Sequence, residues 1–451
     1  MTEAEPDANP ESQGRDIPPD PPASPAPSSQ QAVWAVFLGS VAMAIAFPAG
    51  ELAAWFFSTP KRPPLHADPL IELVPMVGVA VLIATWVFVF WSLIGSFLNV
   101  VVHRLPLGQS VVLGGSRCPR CHSAIKWHDN LPVIGWLNLR GRCRSCDLPI
   151  AARYPVVESI CAGLCTAVYF RELLSGGANL PGRPPDFQHG GVLKLFPNPA
   201  FDLIGLSLYH CGTLCVLLVW GLIAWDGRRV PSRSVLAVLG VATALPVVFP
   251  PLHPLGLTGG PGLIMAAMDA MDAMDAMDAM DAWLMQGLAV SVAGGVAGLL
   301  SGRLLQWLLG RLLHGDASGR TGQPLGQPHA LGIGMALVGI VFGWQGMLGT
   351  MVILLVACLV QALLWSALAE WPTVPTELLL VPATFLHLCA WRQLVVAFGP
   401  WWPASPTLAC LAVLVAMVLA VAAAFAAIAP APSRPQRSRE TDPGHPGDQP
   451  A

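Results

Sequence analysis

Four cysteines in two CxxC pairs have the clearest chemical spacing in this chain. Cys118 and Cys121 form the first pair, Cys143 and Cys146 form the second, and twenty-one residues separate the pairs. Zinc prefers thiolate ligands, and a CxxC turn brings both sulfurs of a pair to the same ion, so two pairs complete a closed tetrahedral site. The spacing therefore predicts a structural zinc site, or a site for a similar soft metal. Two disulfides, or four unrelated thiols, are the alternatives.

A carboxylate at the end of an apolar run is the second group that could do chemistry. Asp226 follows the apolar run 214–225 and precedes Gly-Arg-Arg-Val-Pro231. An acid at membrane depth costs a few kcal/mol to place and therefore marks a functional site by default. The alternative is an interfacial aspartate that pairs with Arg228 or Arg229.

Two further cysteine pairs lie inside apolar runs. Cys161 and Cys165 are four residues apart, as are Cys211 and Cys215, so each pair shares one helical face. Cysteines in such surroundings are more often small packing residues than metal ligands. We therefore interpret both pairs as packing residues.

The elements that must position these groups are membrane helices. The chain has 451 residues, of which 54% are hydrophobic and 11% are charged, and its mean hydropathy is +0.58. Long apolar runs without strand alternation can satisfy their backbone groups in hydrocarbon only as helices. The sequence predicts an all-α polytopic membrane protein with about nine or ten transmembrane helices and a small cytoplasmic loop resembling a zinc ribbon. The predicted spans are 34–57, 75–102, 156–172, 202–225, 235–252, 284–308, 331–347, 349–369 and 378–429, and the last of these holds two helices.

Composition also predicts the domain organisation. Residues 1–32 and 430–451 are Pro-rich tails predicted to be disordered, and they flank transmembrane segments 33–102 and 156–429. The loop 103–155 carries eight Lys and Arg residues against Asp129 and Asp147. Because basic loops stay on the cytoplasmic side, this loop is predicted to face the cytoplasm. The Met-Asp-Ala repeat at 268–282 is interpreted as a tolerant loop or helix start; a calcium site is the alternative.

The residues around the CxxC pairs resemble a known family. The segments Gly95-Ser-Phe-Leu-Asn-Val-Val-Val-His-Arg-Leu-Pro106, Trp127-His-Asp-Asn-Leu-Pro132 and Arg153-Tyr-Pro-Val-Val-Glu158 flank and separate the pairs. In order and spacing they resemble the N-terminal region of the prepilin leader peptidases, the type IV leader peptidase family. The resemblance marks further motif residues at the cytoplasmic face: Asn99, Arg104, Asp129, Arg153 and Glu158. We expect Glu158 to pair with Arg153, and we expect His128 and Asp129 to form either a loop turn or a pair behind the metal ligands.

The resemblance implies a function. Members of this family are intramembrane aspartic proteases of the bacterial inner membrane that cleave the leader of type IV prepilins. Bifunctional members also N-methylate the new N-terminus, for which S-adenosylmethionine would be the methyl donor. The implied partners are prepilin-like membrane helices and the lipid bilayer, with no nucleic acid.

The catalytic half departs from the family pattern. The family uses two aspartates, and Asp226 is the candidate for the first, although the family's acid usually lies seven residues before its proline, where this chain has Ala224. The second belongs to a Gly-x-Gly-Asp segment, but Gly332-Ile-Gly is followed by Met335, and the other register gives Leu331. Neither side chain can hold or deliver a proton. Asp316 is a weak substitute, as are Glu370 and Glu377, and all three are expected in ordinary loops.

Three hypotheses follow from this pattern. The chain is an active prepilin peptidase with an unrecognised second acid, or it is a catalytically silent relative that binds prepilin-like helices or a pilus or secretion assembly. An unrelated transporter or membrane scaffold with a zinc knuckle is the third hypothesis.

Overall fold

The computed structural model describes residues 37–42, 69–181 apart from Gly114 and Pro119, 201–253, 276–314, 330–367 and 374–398. The two predicted tails, most of the predicted span 34–57, Asp316 and Glu370 lie outside the described residues, as does everything after Phe398.

The described residues are mostly helical, and their strand pairing is limited to two isolated bridges. The helices are α1 (Pro69–Arg104), α2 (Ile134–Asn138), α3 (Arg153–Tyr169), α4 (Phe201–Trp225), α5 (Ser232–Val248), α6 (Ala276–His314), α7 (Ala330–Ala367) and α8 (Thr376–Phe398). Five of these helices contain a segment long and apolar enough to cross a membrane, namely α1, α4, α6, α7 and α8. The prediction of a mostly helical chain with several apolar helices of membrane-spanning length is therefore confirmed, while the count of nine or ten spans stays a prediction.

Helix α7 reverses its direction at Gly343. The backbone there has φ 69° and ψ 176°, a conformation that favours glycine. Before the break, the Phe342 ring lies 5.7 Å from the His387 ring, and a Cβ on Gly334 would lie 2.8 Å from Leu380. The first arm of α7 therefore runs parallel to α8.

The second arm of α7 returns to the start of α8. Gln361 exchanges two hydrogen bonds with the backbone of Val374, at 2.9 and 3.0 Å. If α7 continued straight after Gly343, its rise of about 27 Å to Gln361 would have carried Gln361 away from Val374. The sequence predicted two helical segments here with a boundary near residue 348, and the turn lies instead at Gly343.

Glycines let α6 and the first arm of α7 pack against each other. A Cβ on Gly294 would lie 2.0 Å from the carbonyl oxygen of Gly339, and one on Gly298 would lie 2.0 Å from that of Met335. Small residues at such spacing allow two helix backbones to approach closely within a membrane. Because the contacts pair later residues of α6 with earlier residues of α7, the two segments are antiparallel.

The segment 105–152, called the platform below, connects α1 to α3 and includes α2. The start of α3 and the residue after α4 meet beside it, because the Arg153 guanidinium is ion-paired with the Asp226 carboxylate. The start of α8 is near the same end of α4, since a Cβ on Gly221 would lie 3.2 Å from the carbonyl oxygen of Glu377. We call this the platform end of the helix bundle.

Candidate metal centre and the helix ends beneath it

The two CxxC pairs form two copies of one turn. In each copy the amide of the first cysteine donates to a carbonyl five residues later: Cys118 to Ser123 at 3.0 Å and Cys143 to Leu148 at 2.9 Å. The residue after the second cysteine donates back to the first, at 2.9 Å in both copies, and has φ 56° in both, at His122 and Asp147. Polar residues of this kind tolerate the left-handed region better than most. The two knuckles thus have the same backbone hydrogen bonds.

The four sulfurs converge. The Sγ atoms of Cys118, Cys121, Cys143 and Cys146 all lie within 4.8 Å of one another. Sulfur separations of 3.9 Å for Cys118 and Cys146 and 4.0 Å for Cys121 and Cys143 cross between the knuckles. Zinc–sulfur bonds of about 2.3 Å in a tetrahedron require sulfurs about 3.8 Å apart. The donor set therefore fits a structural zinc ion, as the spacing predicts; the identity of the metal stays a prediction.

The electrostatics of these four thiols favour a cation. The Ser123 hydroxyl and backbone amide lower the pKa of Cys121 to about 6, and the amides of Cys146 and Ser145 lower that of Cys143. Although the Leu148 amide favours its thiolate, burial and the neighbouring thiols raise the pKa of Cys146 to about 12. Four adjacent thiolates repel one another, so the set ionises fully only around a positive ion.

Asp129 holds the second knuckle against the 3₁₀ turn Trp127–Asn130. Arg144, which lies between Cys143 and Cys146, donates two hydrogen bonds to the Asp129 carboxylate at 2.6 and 2.7 Å. The Asp129 side chain is only 6% exposed, and the hydrogen bonds from Arg144 lower the pKa of Asp129. His128 Nε2 lies 3.6 Å from the same carboxylate. The main partner of Asp129 is therefore Arg144, and through it the carboxylate positions the second knuckle.

Glu158 fixes the platform to α3. Its Oε2 atom accepts a 2.7 Å hydrogen bond from the amide of Val133, whose φ of 59° is unusual for a β-branched residue. The predicted pair of Glu158 with Arg153 is wrong, because the Arg153 side chain lies beside Asp226 instead. Arg153 also donates to the Leu222 carbonyl at 3.5 Å.

The two other motif residues bond to backbone at the same end. The Asn99 amide donates to the Tyr154 carbonyl at 3.2 Å and so joins α1 to the first turn of α3. The Arg104 guanidinium donates to the carbonyls of Ser110 and Leu113 at 3.2 and 3.0 Å, which closes the loop that follows α1. All five motif residues from the sequence therefore act within or just beneath the platform.

Asp226 lies beneath the platform, directly after the last residue of α4, as its place at the end of the apolar run 214–225 predicts. Its side chain is 27% exposed and its ion-pair partner is Arg153, whereas the sequence suggested Arg228 or Arg229. Arg228 donates instead to the His103 carbonyl at 3.5 Å. The carboxylate is therefore held by a cation from α3 and remains accessible to water.

The positions where the family places its second acid are apolar and enclosed. Leu331 is 1% exposed and Met335 is 0% exposed, and the backbone of Met335 packs against Gly298. Gly332 and Gly334 serve helix packing, because a Cβ there would meet Arg303 and Leu380 respectively. The Gly-x-Gly frame is thus present as a packing feature without the acid.

Glu377 is the functional candidate that the sequence undervalued. It was expected in a loop, but it lies in the first turn of α8 and is only 6% exposed. Its backbone packs against Gly221, which lies five residues before Asp226. The preceding Pro375 and Thr376 form a recognisable helix start and could have revealed this placement.

Comparison with known proteins gives one family model and several relatives that each match part of the chain. Residues 89–172 match the family model described as the bacterial peptidase A24 N-terminal domain. A prepilin leader peptidase/N-methyltransferase from Myxococcus xanthus is 53% identical over 77 residues, which are 17% of this chain and 23% of that protein. Proteins of the same description from Klebsiella pneumoniae and Aeromonas hydrophila are 42% and 41% identical over 107 and 106 residues, covering 42% and 37% of their lengths and 22% and 18% of this chain. The chain thus matches less than half of the length of these relatives, and no solved structure matches it.

Proposed function

Residues 89–172 are a bacterial peptidase A24 N-terminal domain and relate the chain to the prepilin leader peptidases; from this we propose that it is an integral membrane protein that cleaves type IV prepilin-like substrates. The observation that carries the proposal is the ion pair that sets Asp226 directly beneath the platform. The four-cysteine platform and an accessible carboxylate thereby share one end of the bundle. We place that end at the cytoplasmic face of the bacterial inner membrane, on the basis of the eight basic residues in 103–155.

Peptide hydrolysis by carboxylates needs a second acid near the first. One carboxyl of such a dyad is ionised and activates water, while the other keeps its proton and donates it. Among the described residues, Glu158 and Glu377 are buried carboxyls on helices that begin beside the end of α4. Glu158 already accepts a hydrogen bond from the Val133 amide, which leaves Glu377 as the candidate for the second acid. We propose Asp226 and Glu377 as the catalytic pair.

A structural zinc ion fits the platform and would be held by Cys118, Cys121, Cys143 and Cys146. Bound there, it would fasten the two knuckles without taking part in the chemistry. The platform then presents its exposed surface, which includes Trp127 and Leu131, to the substrate beside Asp226.

N-methylation by S-adenosylmethionine has weaker support. The groove between α5 and α6 is lined by apolar side chains, among them Leu236, Leu239, Val247 and Leu288. It offers no charged group for the amino-acid part of that cofactor, so this groove does not fit it. Methyl transfer is proposed from the description of the relatives.

A second candidate function is a catalytically silent relative that binds prepilin-like helices or a pilus or secretion assembly. The burial of Leu331 and Met335 at both expected acid positions favours it. Such a protein would keep the platform and its metal while lacking the dyad.

One experiment separates the two functions. Membranes that contain the full chain are incubated with a type IV prepilin carrying a photocrosslinker in its leader, and both leader loss and crosslinking are measured. If the chain is an active enzyme, it cleaves the prepilin leader. The Asp226→Asn and Glu377→Gln variants then lose this cleavage, and the Asp147→Asn variant retains it. Asp147 is a matched control, because its carboxylate is 79% exposed and contacts only Arg142 among the ion pairs of the described residues.

Each outcome is decisive. If the Asp226→Asn variant still cleaves, the proposed role of Asp226 is wrong. If the Glu377→Gln variant still cleaves while the Asp226→Asn variant does not, only the proposed role of Glu377 is wrong. Crosslinking without cleavage by the unaltered chain supports the silent relative. The absence of both contradicts both functions.

A further inference from the structure

A second cluster of thiols lies between α3 and α4, apart from the platform. Cys161 and Cys165 on α3 face Cys211 and Cys215 on α4, so the two pairs that are four residues apart in sequence meet across one helix interface. The Sγ atoms of Cys161, Cys165 and Cys215 all lie within 4.8 Å of one another, and those of Cys161 and Cys215 are 3.8 Å apart. Cys211 donates its thiol to the Cys165 carbonyl at 3.6 Å and so closes one side of the cluster.

The cluster is enclosed by helices. None of the four cysteines is more than 8% exposed. Helix α1 covers it at Gly95, where a Cβ would lie 3.0 Å from the Cβ of Cys161. Cys161 follows Glu158 by three residues on α3, so the cluster lies about one helical turn below the attachment of the platform.

The donor set selects the class of ligand. Three thiols without a carboxylate or imidazole in the group suit soft cations and exclude hard ones such as Mg²⁺ or Ca²⁺. Burial of net charge in an apolar interior is costly, which favours an ion of low charge. A monovalent ion that displaces one thiol proton leaves a site of three sulfurs with no net charge.

We propose that Cys161, Cys165 and Cys215 form an intramembrane binding site for a soft monovalent cation, Cu(I) or its analogue Ag(I). Binding converts one thiol to a thiolate and releases one proton, while the other two sulfurs bind as neutral thiols. The site is separate from the platform, and it does not depend on whether the chain cleaves prepilins.

Silver tests this site because it needs no reductant. Full-length, zinc-loaded protein in detergent is titrated with Ag(I), and silver per chain, zinc release and the silver–sulfur coordination number by X-ray absorption are measured. We expect the first equivalent of Ag(I) to bind to three sulfurs without release of zinc, and later equivalents to displace zinc from the platform thiolates. Zinc release that begins with the first equivalent would show that silver binds to the platform before the cluster and would overturn the proposal.

Variants and alkylation locate the ion. The double variant Cys161→Ser, Cys215→Ser is expected to lose the silver uptake that occurs without zinc release. Cys358→Ser is expected to retain this uptake, because Cys358 is a buried thiol outside the cluster. In the unaltered protein, bound Ag(I) is expected to slow alkylation of Cys161, Cys165 and Cys215 by a membrane-permeable maleimide, measured by peptide mass spectrometry. This measurement needs no variant that must fold.

Two results would reject the site. Alkylation of these three cysteines at the same rate with and without Ag(I) shows that they do not bind it. A disulfide between Cys161 and Cys215 in the isolated protein shows that the sulfurs are not free ligands.

Discussion

The platform and the α6–α7 pair are both ordered, but by opposite means. In the platform, specific side chains hold irregular backbone: four sulfurs, the Arg144–Asp129 pair and the Glu158 carboxylate. Between α6 and α7, the lack of side chains at Gly294 and Gly298 lets two helices touch. The platform is ordered by side-chain interactions, whereas the α6–α7 contact is possible because glycine has no side chain.

This difference bears on function. The family model matches residues 89–172, a range that includes the platform. At this interface Leu331 and Met335 fill the expected acid positions as buried apolar residues. A chain can in this way keep the platform while its catalytic carboxyl lies elsewhere, as we propose for Glu377.

Removal of the metal ligands is expected to have the largest effect on this contrast. Cys118→Ser with Cys121→Ser should remove about one zinc ion per chain and unfold the platform, since structural zinc binding contributes about 10–16 kcal/mol in small domains. Metal analysis and limited proteolysis measure the two effects, and the helix content of the bundle should be unchanged. Cys358→Ser is the control, and unchanged zinc in the double variant would contradict the four-sulfur site.

A methyl group between α6 and α7 is expected to give the next largest effect. Gly298→Ala places a Cβ 2.0 Å from the Met335 carbonyl oxygen and should lower the free energy of unfolding by about 1–3 kcal/mol, because the helices must separate. Gly240→Ala in α5 is the matched control, since nothing lies within 4 Å of its Cβ position. Stability is measured by denaturant unfolding in micelles, and zinc content should be equal in both variants.

The attachment of the platform to α3 can be cut at Glu158. Glu158→Leu leaves the buried Val133 amide without its acceptor and should cost about 1–3 kcal/mol, whereas Glu158→Gln keeps an acceptor and should cost less. Hydrogen exchange at Val133 follows the effect. Equal protection in the two variants would show that the carboxylate oxygen does not hold this loop.

The smallest effect concerns the Asp129–Arg144 pair and pH. The Arg144 hydrogen bonds lower the pKa of Asp129, so the folded state gains stability above the usual aspartate pKa and loses it as pH falls through the lowered value. The difference in hydrogen-exchange protection of 126–148 between the unaltered chain and Asp129→Asn should therefore stay constant from about pH 8 to about pH 5.5. A difference that narrows within this range would mean that the pKa is raised; Arg142→Gln, at an exposed pair, is the control.

The sequence predicted what short spacing encodes. The two CxxC pairs gave the converging sulfurs, the apolar runs gave α1, α4, α6 and α8, and the run before Asp226 gave its position at a helix end. Each of these depends on residues that are close together in the chain.

Contacts between distant residues were not predictable in the same way. The ion pair of Arg153 with Asp226 joins residues 73 positions apart. From the sequence, the nearby Glu158 was the expected partner of Arg153, and Arg228 was an expected partner of Asp226. The burial of Glu377 depends on α8 packing against Gly221, and the cysteine cluster depends on the rotation of α3 against α4. Neither rotation nor packing partner is contained in a helical period.

The turn at Gly343 brings the end of α7 back to the end of the bundle where α7 begins. A straight helix over 330–367 would have left Gln361 far from Val374 and the start of α8 far from Gly221. The position of Glu377 beside the end of α4 therefore depends on the backbone conformation of a single glycine.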